Sequence, residues 1–194
     1  MICASVDPKD LKIDVRELSA RLGMPYEDGS IEGTEAYRSL ALAVRPSYCA
    51  VRVGVEKKDG TVRVGSIKSE SRALLKLLES SDEAILLVAT LGIGADRLIL
   101  KRSSISAYEA FLIDAIADAM IEAVCDAAEA EVCRDIVTSP RFSPGYADLP
   151  LSFGEGILAL TDAERRLGIK LTAGGMMIPK KSVSAIIAIK KACE

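Results

Sequence analysis

The chain has 194 residues, enough for one large domain or two small ones, and its 49% hydrophobic and 27% charged residues suit a soluble protein with a sizeable core. A net charge of -3, few aromatics and no Lys/Arg run leave nucleic-acid binding without support. There is no histidine, which removes His-based triads, His-ligated metals and the usual neutral-pH general base.

The N-terminus, M1-I-C-A-S-V-D-P-K-D10, lacks the basic and long apolar regions of a signal peptide. Asp14 and Glu17 stand at capping-box spacing and predict a helix to about Leu22, ended by Gly23 and Pro25. A second helical pattern runs from about Thr34 to Val44 and stops before Pro46. The stretch Y48-C-A-V-R-V-G-V-E56 reads as a strand, K57-K-D-G60 as a hairpin turn and T61-V-R-V-G-S-I67 as the returning strand. A helix follows from about Glu70 to Glu79, and A84-I-L-L-V-A-T90 reads as a strand buried on both faces.

After L91-G-I-G-A-D-R97 a short helix runs to about Lys101. Ser106 and Glu109 then cap the longest helix, which extends to about Cys133. Six acidic residues interrupt its apolar run, so it is no membrane span, and the expectation is a cytoplasmic protein. Another helix is predicted from about Gly154 to Leu167, closed by Gly168. Two final strands, 169–172 and 182–189, are joined by A173-G-G-M-M-I-P-K-K181. Cys3, Cys49, Cys125, Cys133 and Cys193 form no C-x-x-C pair, and their odd number argues against a complete disulfide framework. With no repeat, linker or domain boundary, residues 1–194 read as a single α+β domain with a largely antiparallel β-sheet and flanking helices.

Three features could carry chemistry. The strand 84–90 followed by G92-I-G94 has the outline of a phosphate loop, although Arg97 stands where a third glycine belongs. A tight strand-to-helix turn is the alternative. Asp114, Asp118, Glu122 and Asp126 form an acidic stripe along the long helix. It is either a solvated face paired with Arg or Lys from elsewhere, or a place where one carboxylate meets a cationic ligand. The third feature is S139-P-R-F-S-P-G-Y146. Pro144 stiffens it, Gly145 permits a positive φ, Arg141 offers a planar fork for a carboxylate or phosphate, and Tyr146 offers a ring and a hydroxyl. It is either a frame for a flat, charged ligand or a rigid turn with a structural arginine.

R141-F-S-P-G-Y146 resembles the Arg-x-x-Pro-Gly-Tyr signature of the activation (reactivation) domain of vitamin B12-dependent methionine synthase. The likeness extends to A117-D-A-M-I-E-A-V124 upstream and to G168-I-K-L-T172 and M176-M-I-P-K-K-S-V-S184 downstream. L87-V-A-T-L-G-I-G-A-D-R97 together with R141-F-S-P-G-Y-A-D-L149 is most similar to the short, free-standing members of that family. Residues 84–190 follow the family closely and residues 1–83 loosely.

The resemblance implies a methionine synthase activation domain-like α+β fold. It also implies a module that binds S-adenosylmethionine and docks over cobalamin carried by a partner. There it would support reductive remethylation of inactive cob(II)alamin, with one electron from a flavodoxin-like donor. The implied partner is a methionine synthase lacking this domain. Another corrinoid methyltransferase, or a non-catalytic role as an S-adenosylmethionine-binding regulator, is the alternative. Carried over, Arg141, Ser143, Pro144, Gly145 and Tyr146 fall on the ligand-contacting signature and Glu122 on the family's helix carboxylate. Arg141 would take the methionyl carboxylate, Glu122 a cationic or donor group, and Tyr146 would lie toward the corrin. The sulfonium is already activated, so no side chain of this chain is expected to act as acid, base, nucleophile or metal ligand. The cobalamin must belong to another polypeptide, because the family's Asp-x-His-x-x-Gly pattern needs a histidine.

Overall fold

The computed structural model describes residues 1–23, 25 and 30–190; Cys193 lies outside them. The sheet is built around β5 (Glu83–Thr90), an aliphatic run with no polar alternation. It pairs antiparallel on both sides, with β2 (Ser47–Lys58) from Ser47↔Thr90 to Gly54↔Glu83 and with β8 (Ser182–Ile189) from Thr90↔Ser182 to Glu83↔Ile189. Successive side chains of β5 therefore enter two different cores. Ile85, Leu87 and Ala89 pack with the helices of one face, while Ala84, Leu86 and Val88 pack with those of the other.

The strand β2 is long enough to serve two ladders. Its first residues also pair with the edge strand β1 (Ile2–Ser5), and its last four pair with β3 (Thr61–Val64). The predicted D59-G60 turn is present, with φ of 50° and 74°. The predicted returning strand, however, is two strands. Gly65, at φ 58°, reverses the chain, so β4 (Ile67–Ser69) folds back antiparallel on β3. Cys3 and Cys49 stand opposite each other in the β1–β2 ladder and are joined by a disulfide, whereas Cys125 and Cys133 are free.

On the first face lie α1 (Val15–Leu22), α2 (Glu35–Ala43), α4 (Ile93–Ser103) and the 26-residue α5 (Ala107–Val132). The two caps read from sequence are present, Asp14 accepting from Arg16 and Glu17 and Ser106 from Glu109, and Thr34 caps α2 by accepting from Tyr37. Ile113, Ile116, Met120 and Val124 recur at helical spacing and bury one side of α5, leaving its acids on the other.

The second face carries α3 (Arg72–Leu77), α6 (Phe153–Thr161) and α7 (Ala163–Leu167). The single helix predicted over 154–167 breaks at Asp162, whose left-handed backbone (φ 53°) is accompanied by ion pairs to Arg165 and Arg166. The two strands predicted at the end do not pair with each other. β6 (Lys170–Leu171) pairs with β7 (Met177–Ile178), which arises inside the predicted connector, and β8 joins the main sheet. Eight aliphatic-rich residues in β8 bury more surface beside β5 than beside a two-residue partner.

Candidate functional site

Residues 137–142 are not a free loop. They run along the outer edge of β8. Lys190 donates to the carbonyl of Val137 (2.8 Å), Ser139 N to Ala188 O (3.0 Å), and Phe142 and Ile186 exchange bonds of 2.9 and 2.8 Å. The buried Ser139 hydroxyl oxygen also accepts from Ala188 N at 3.0 Å. In extended backbone, neighbouring side chains part company. Phe142 packs against the second core, while Arg141 reaches α5.

There the guanidinium meets three carboxylates on one helical face. Nη1 donates to Asp126 (2.8 Å) and Glu129 (2.5 Å), and Nη2 to Glu122 (3.0 Å). The spacing 122, 126, 129 is what brings them to one cation. Burial works against the charge of Arg141, yet the hydrogen bond to Asp126 and the surrounding anions hold its proton more tightly than usual. Burial raises the Glu129 carboxyl, with Arg141 opposing it. Beneath them the Cys125 thiol is pushed up to about 12, chiefly by burial, so it stays protonated and is no nucleophile.

The upper part of the acidic stripe is paired too. Lys181 Nζ donates to Asp114 (2.8 Å) and Asp118 (2.5 Å), and Arg21 pairs with Asp118. The stripe is thus held by cations from elsewhere in the fold, as its solvated-face alternative required. Glu122 also faces the cleft described next, so that alternative does not describe the whole stripe.

After Phe142 the chain turns tightly. Gly145 N donates to Leu149 O (2.8 Å), Tyr146 N to Ser143 O (3.2 Å) and Leu149 N to Tyr146 O (3.0 Å). Gly145 sits at φ 92°, and a Cβ there would lie 2.9 Å from Leu151 Cδ2. The far end of the turn is pinned by Asp148, whose carboxylate accepts from Ser71 Oγ (2.5 Å), Arg72 N (2.7 Å) and Ala73 N (3.1 Å). It thereby caps α3 from 75 to 77 residues away. These bonds, the one from Ser71 foremost, hold the Asp148 carboxyl below the usual carboxylate range. Tyr146 is 60% exposed, its ring edge-on to Phe142 at 6.3 Å.

The result is a cleft of about 520 Å³. Glu122, Glu129, Arg141, Ser143, Pro144 and Tyr146 line one side, and Leu151, Gly154, Gly175, Met177 and residues 182–184 close the other. Five of the six residues singled out from sequence line it. Gly145 does not; it forms the turn that sets Pro144 and Tyr146. Two smaller clefts, of about 330 and 350 Å³, adjoin it, and Glu122 borders all three. Sequence reading missed Lys181, Asp148 and the Met177 wall. Asp148 had a signal, since an acid in a Gly/Pro-rich turn can cap a distant helix. Lys181 had none, because its partners lie 63 and 67 residues away.

The phosphate-loop alternative is overturned. Gly92, at φ 76°, opens α4 with its N–H on Thr90 Oγ1, and Arg45 N donates to Leu91 O. A Cβ on Gly94 would lie 1.8 Å from the carbonyl oxygen of Ala43, so the end of α2 fills the space a pyrophosphate would need. Among the described residues no helix is long and apolar enough to cross a membrane, and no group of three His, Cys, Asp or Glu side chains is arranged to hold a metal ion.

This architecture agrees with comparisons to known proteins. The sequence profile of the "Vitamin B12 dependent methionine synthase, activation domain" matches residues 75–194, more than half of the chain. The chain belongs to this activation-domain family. Its fold is that of a solved relative, a crystal structure of the MetH reactivation domain bound to AdoHcy, with TM-score 0.71 and 16% identity over 100% of this chain and 79% of that one. No match was found among curated proteins.

Proposed function

We propose that this chain is an S-adenosylmethionine-binding module that docks on a separate cobalamin-carrying protein and supports reductive remethylation of cob(II)alamin. The partner is a B12-dependent methionine synthase lacking this domain, and a flavodoxin-like protein is the electron donor. Residues 1–194 work as one unit of this kind, in the cytoplasm. The observation that carries the reading is the placement of the Arg141–Tyr146 motif over Glu122 at one cleft, in a chain of this family. The relative's bound AdoHcy, the demethylated form of the proposed ligand, supports it.

The residues fit the ligand. The cleft volume lies within the ~300–1,000 Å³ usual for small-molecule sites. Three carboxylates face one guanidinium, and the excess negative charge favours a sulfonium and an ammonium. Ser143, Pro144 and Tyr146 supply a stiff edge, backbone groups and an aromatic face for the adenosine, with Gly145 shaping their turn. Tyr146 and Leu151 are exposed apolar residues that line the cleft, and they offer the surface on which the cobalamin carrier rests. Cobalamin on the partner supplies, when bound, the metal that accepts the methyl group. This chain's residues bind the donor, orient its methyl toward the mouth and keep water from the sulfonium.

Isothermal titration of S-adenosylmethionine into wild type and Arg141→Ala tests the site, with circular dichroism to show that both are folded. Wild type binds saturably, and Arg141→Ala weakens binding by about 1.5–3 kcal/mol, the scale of a charged hydrogen bond. Absence of binding by folded wild type would count against the site.

A further inference from the structure

The cleft spans both faces of the sheet. Glu122 and Glu129 come from α5 on the first face, Gly154 comes from α6 on the second, and residues 182–184 belong to β8 of the sheet itself. Its charged lining residues, Glu122, Glu129 and Arg141, all stand at the α5 end, where they pair with one another. The α6 end is neutral. Leu171 and Met177 pack against the second core, and alternation along β8 puts Ser184 on the same face as Ile186 and Ala188.

Two residues at this neutral end are not explained by folding. Gly154 is the second residue of α6, and its φ is not positive. A Cβ there would meet only Pro144 Cγ and Ser184 Oγ, each at 3.9 Å, an ordinary contact distance. Neither backbone conformation nor packing therefore calls for glycine, and alanine is the better helix former. Gly156, two residues on, is the opposite case. A Cβ there would lie 2.5 Å from Ile67 Cγ1, so the contact between β4 and α6 itself uses the missing side chain. The second residue is Ser184. It is 6% exposed and lines the cleft, yet its hydroxyl has no hydrogen-bond partner among the described residues. Hydroxyls so deeply buried are ordinarily paired. The unpaired hydroxyl and the missing side chain border the same space, because Ser184 Oγ is one of the two atoms a Cβ on Gly154 would touch.

Resting on the reading of the cleft as an S-adenosylmethionine site, we infer that Gly154 is a specificity-determining residue of that site. Its missing side chain leaves a slot between Pro144 and Ser184 that takes the flat, uncharged adenosine end of the ligand. The Ser184 hydroxyl bonds a polar edge of the adenosine. The charged end of the ligand stays with Arg141 and Glu122, across the border of the sheet. The slot thus selects against sulfonium compounds that carry no flat group.

Isothermal titration of S-adenosylmethionine, paired with thermal denaturation of each variant, tests this. Gly154→Ala weakens binding roughly tenfold and Gly154→Val roughly a hundredfold, the range for one or two misplaced methyl groups in a pocket. The melting temperature of Gly154→Ala stays level or rises, since alanine favours the helix. Ser184→Ala weakens binding roughly fivefold, as expected for one hydrogen bond. Gly156→Ala does the reverse of Gly154→Ala: its melting temperature falls and its affinity stays. At saturating ligand, the methyl group introduced by Gly154→Ala gives nuclear Overhauser contacts to adenine or ribose protons. A folded Gly154→Val that binds like wild type overturns the inference and leaves the proposed function intact. A Gly154→Ala that loses stability together with affinity does the same, because the glycine is then structural. Contacts from the introduced methyl to the methionyl chain instead of the adenosine also overturn the inference alone. A folded wild type that does not bind S-adenosylmethionine overturns the proposed function and this inference with it.

Discussion

Two glycine-bearing turns of this chain look alike in sequence and differ in what they face. L91-G-I-G94 follows a buried strand and opens a helix. F142-S-P-G-Y146 follows an extended segment and opens a tight turn. At the first, the missing side chain of Gly94 makes room for the backbone of Ala43, and protein fills the space. At the second, Gly145 bends the chain so that Pro144 and Tyr146 stand on an open cleft. A glycine at such a turn therefore says that something comes close. It does not say whether that something is a ligand or another helix.

Substitutions can break this contrast or sharpen it. The largest effect belongs to Gly94→Val. A Cβ 1.8 Å from a backbone oxygen cannot be relieved by a rotamer change, so the cost exceeds about 3 kcal/mol and thermal denaturation shows a collapsed or absent transition. A well-folded Gly94→Val that had lost a nucleotide ligand of the wild type would erase the distinction. Next comes Arg141→Ala, whose loss appears in ligand titration while the circular dichroism spectrum stays native. Gly145→Ala is milder. Its φ of 92° disfavours any side chain and its clash is with the movable end of Leu151, so about 1–2 kcal/mol of stability is lost in chemical denaturation.

The smallest effect is that of Asp148→Asn, and it carries a pH signature. The folded protein holds this carboxyl below its ordinary range, so its contribution is present above that range and is lost as pH falls through the lowered value. The stability gap between wild type and Asp148→Asn, followed by urea denaturation, narrows on acidification. A gap independent of pH would show that the charge on Asp148 does not matter to the turn.

Much of this was legible before any coordinates. The caps at Asp14 and Ser106 are local chemistry, and the doubly buried strand 84–90 announces itself by lacking polar positions. The motif residues were found because a rigid, charged, aromatic turn is unusual in a plain connector. Other features depended on distant partners. Gly65 and Asp162 each interrupt an otherwise continuous pattern, and periodicity alone does not register a single left-handed residue. The pairing of β8 with β5 rather than with 169–172 is a choice between sheets that no local signal expresses. The stripe on α5 was visible, but its division into a Lys181 half and an Arg141 half needed the fold.

The attachment of residues 137–142 to β8 has a consequence apart from ligand binding. In the main sheet β8 is a terminal strand, and S182-V-S-A-I-I-A-I189 combines branched and small apolar residues with no charge. A bare border of that kind is a template on which another chain can stack. The hydrogen bonds to Val137, Ser139 and Phe142 cap that border, so the segment that leads into the motif also guards the protein against self-association. Selection acting on this stretch for solubility would preserve much of the same backbone that recognition uses.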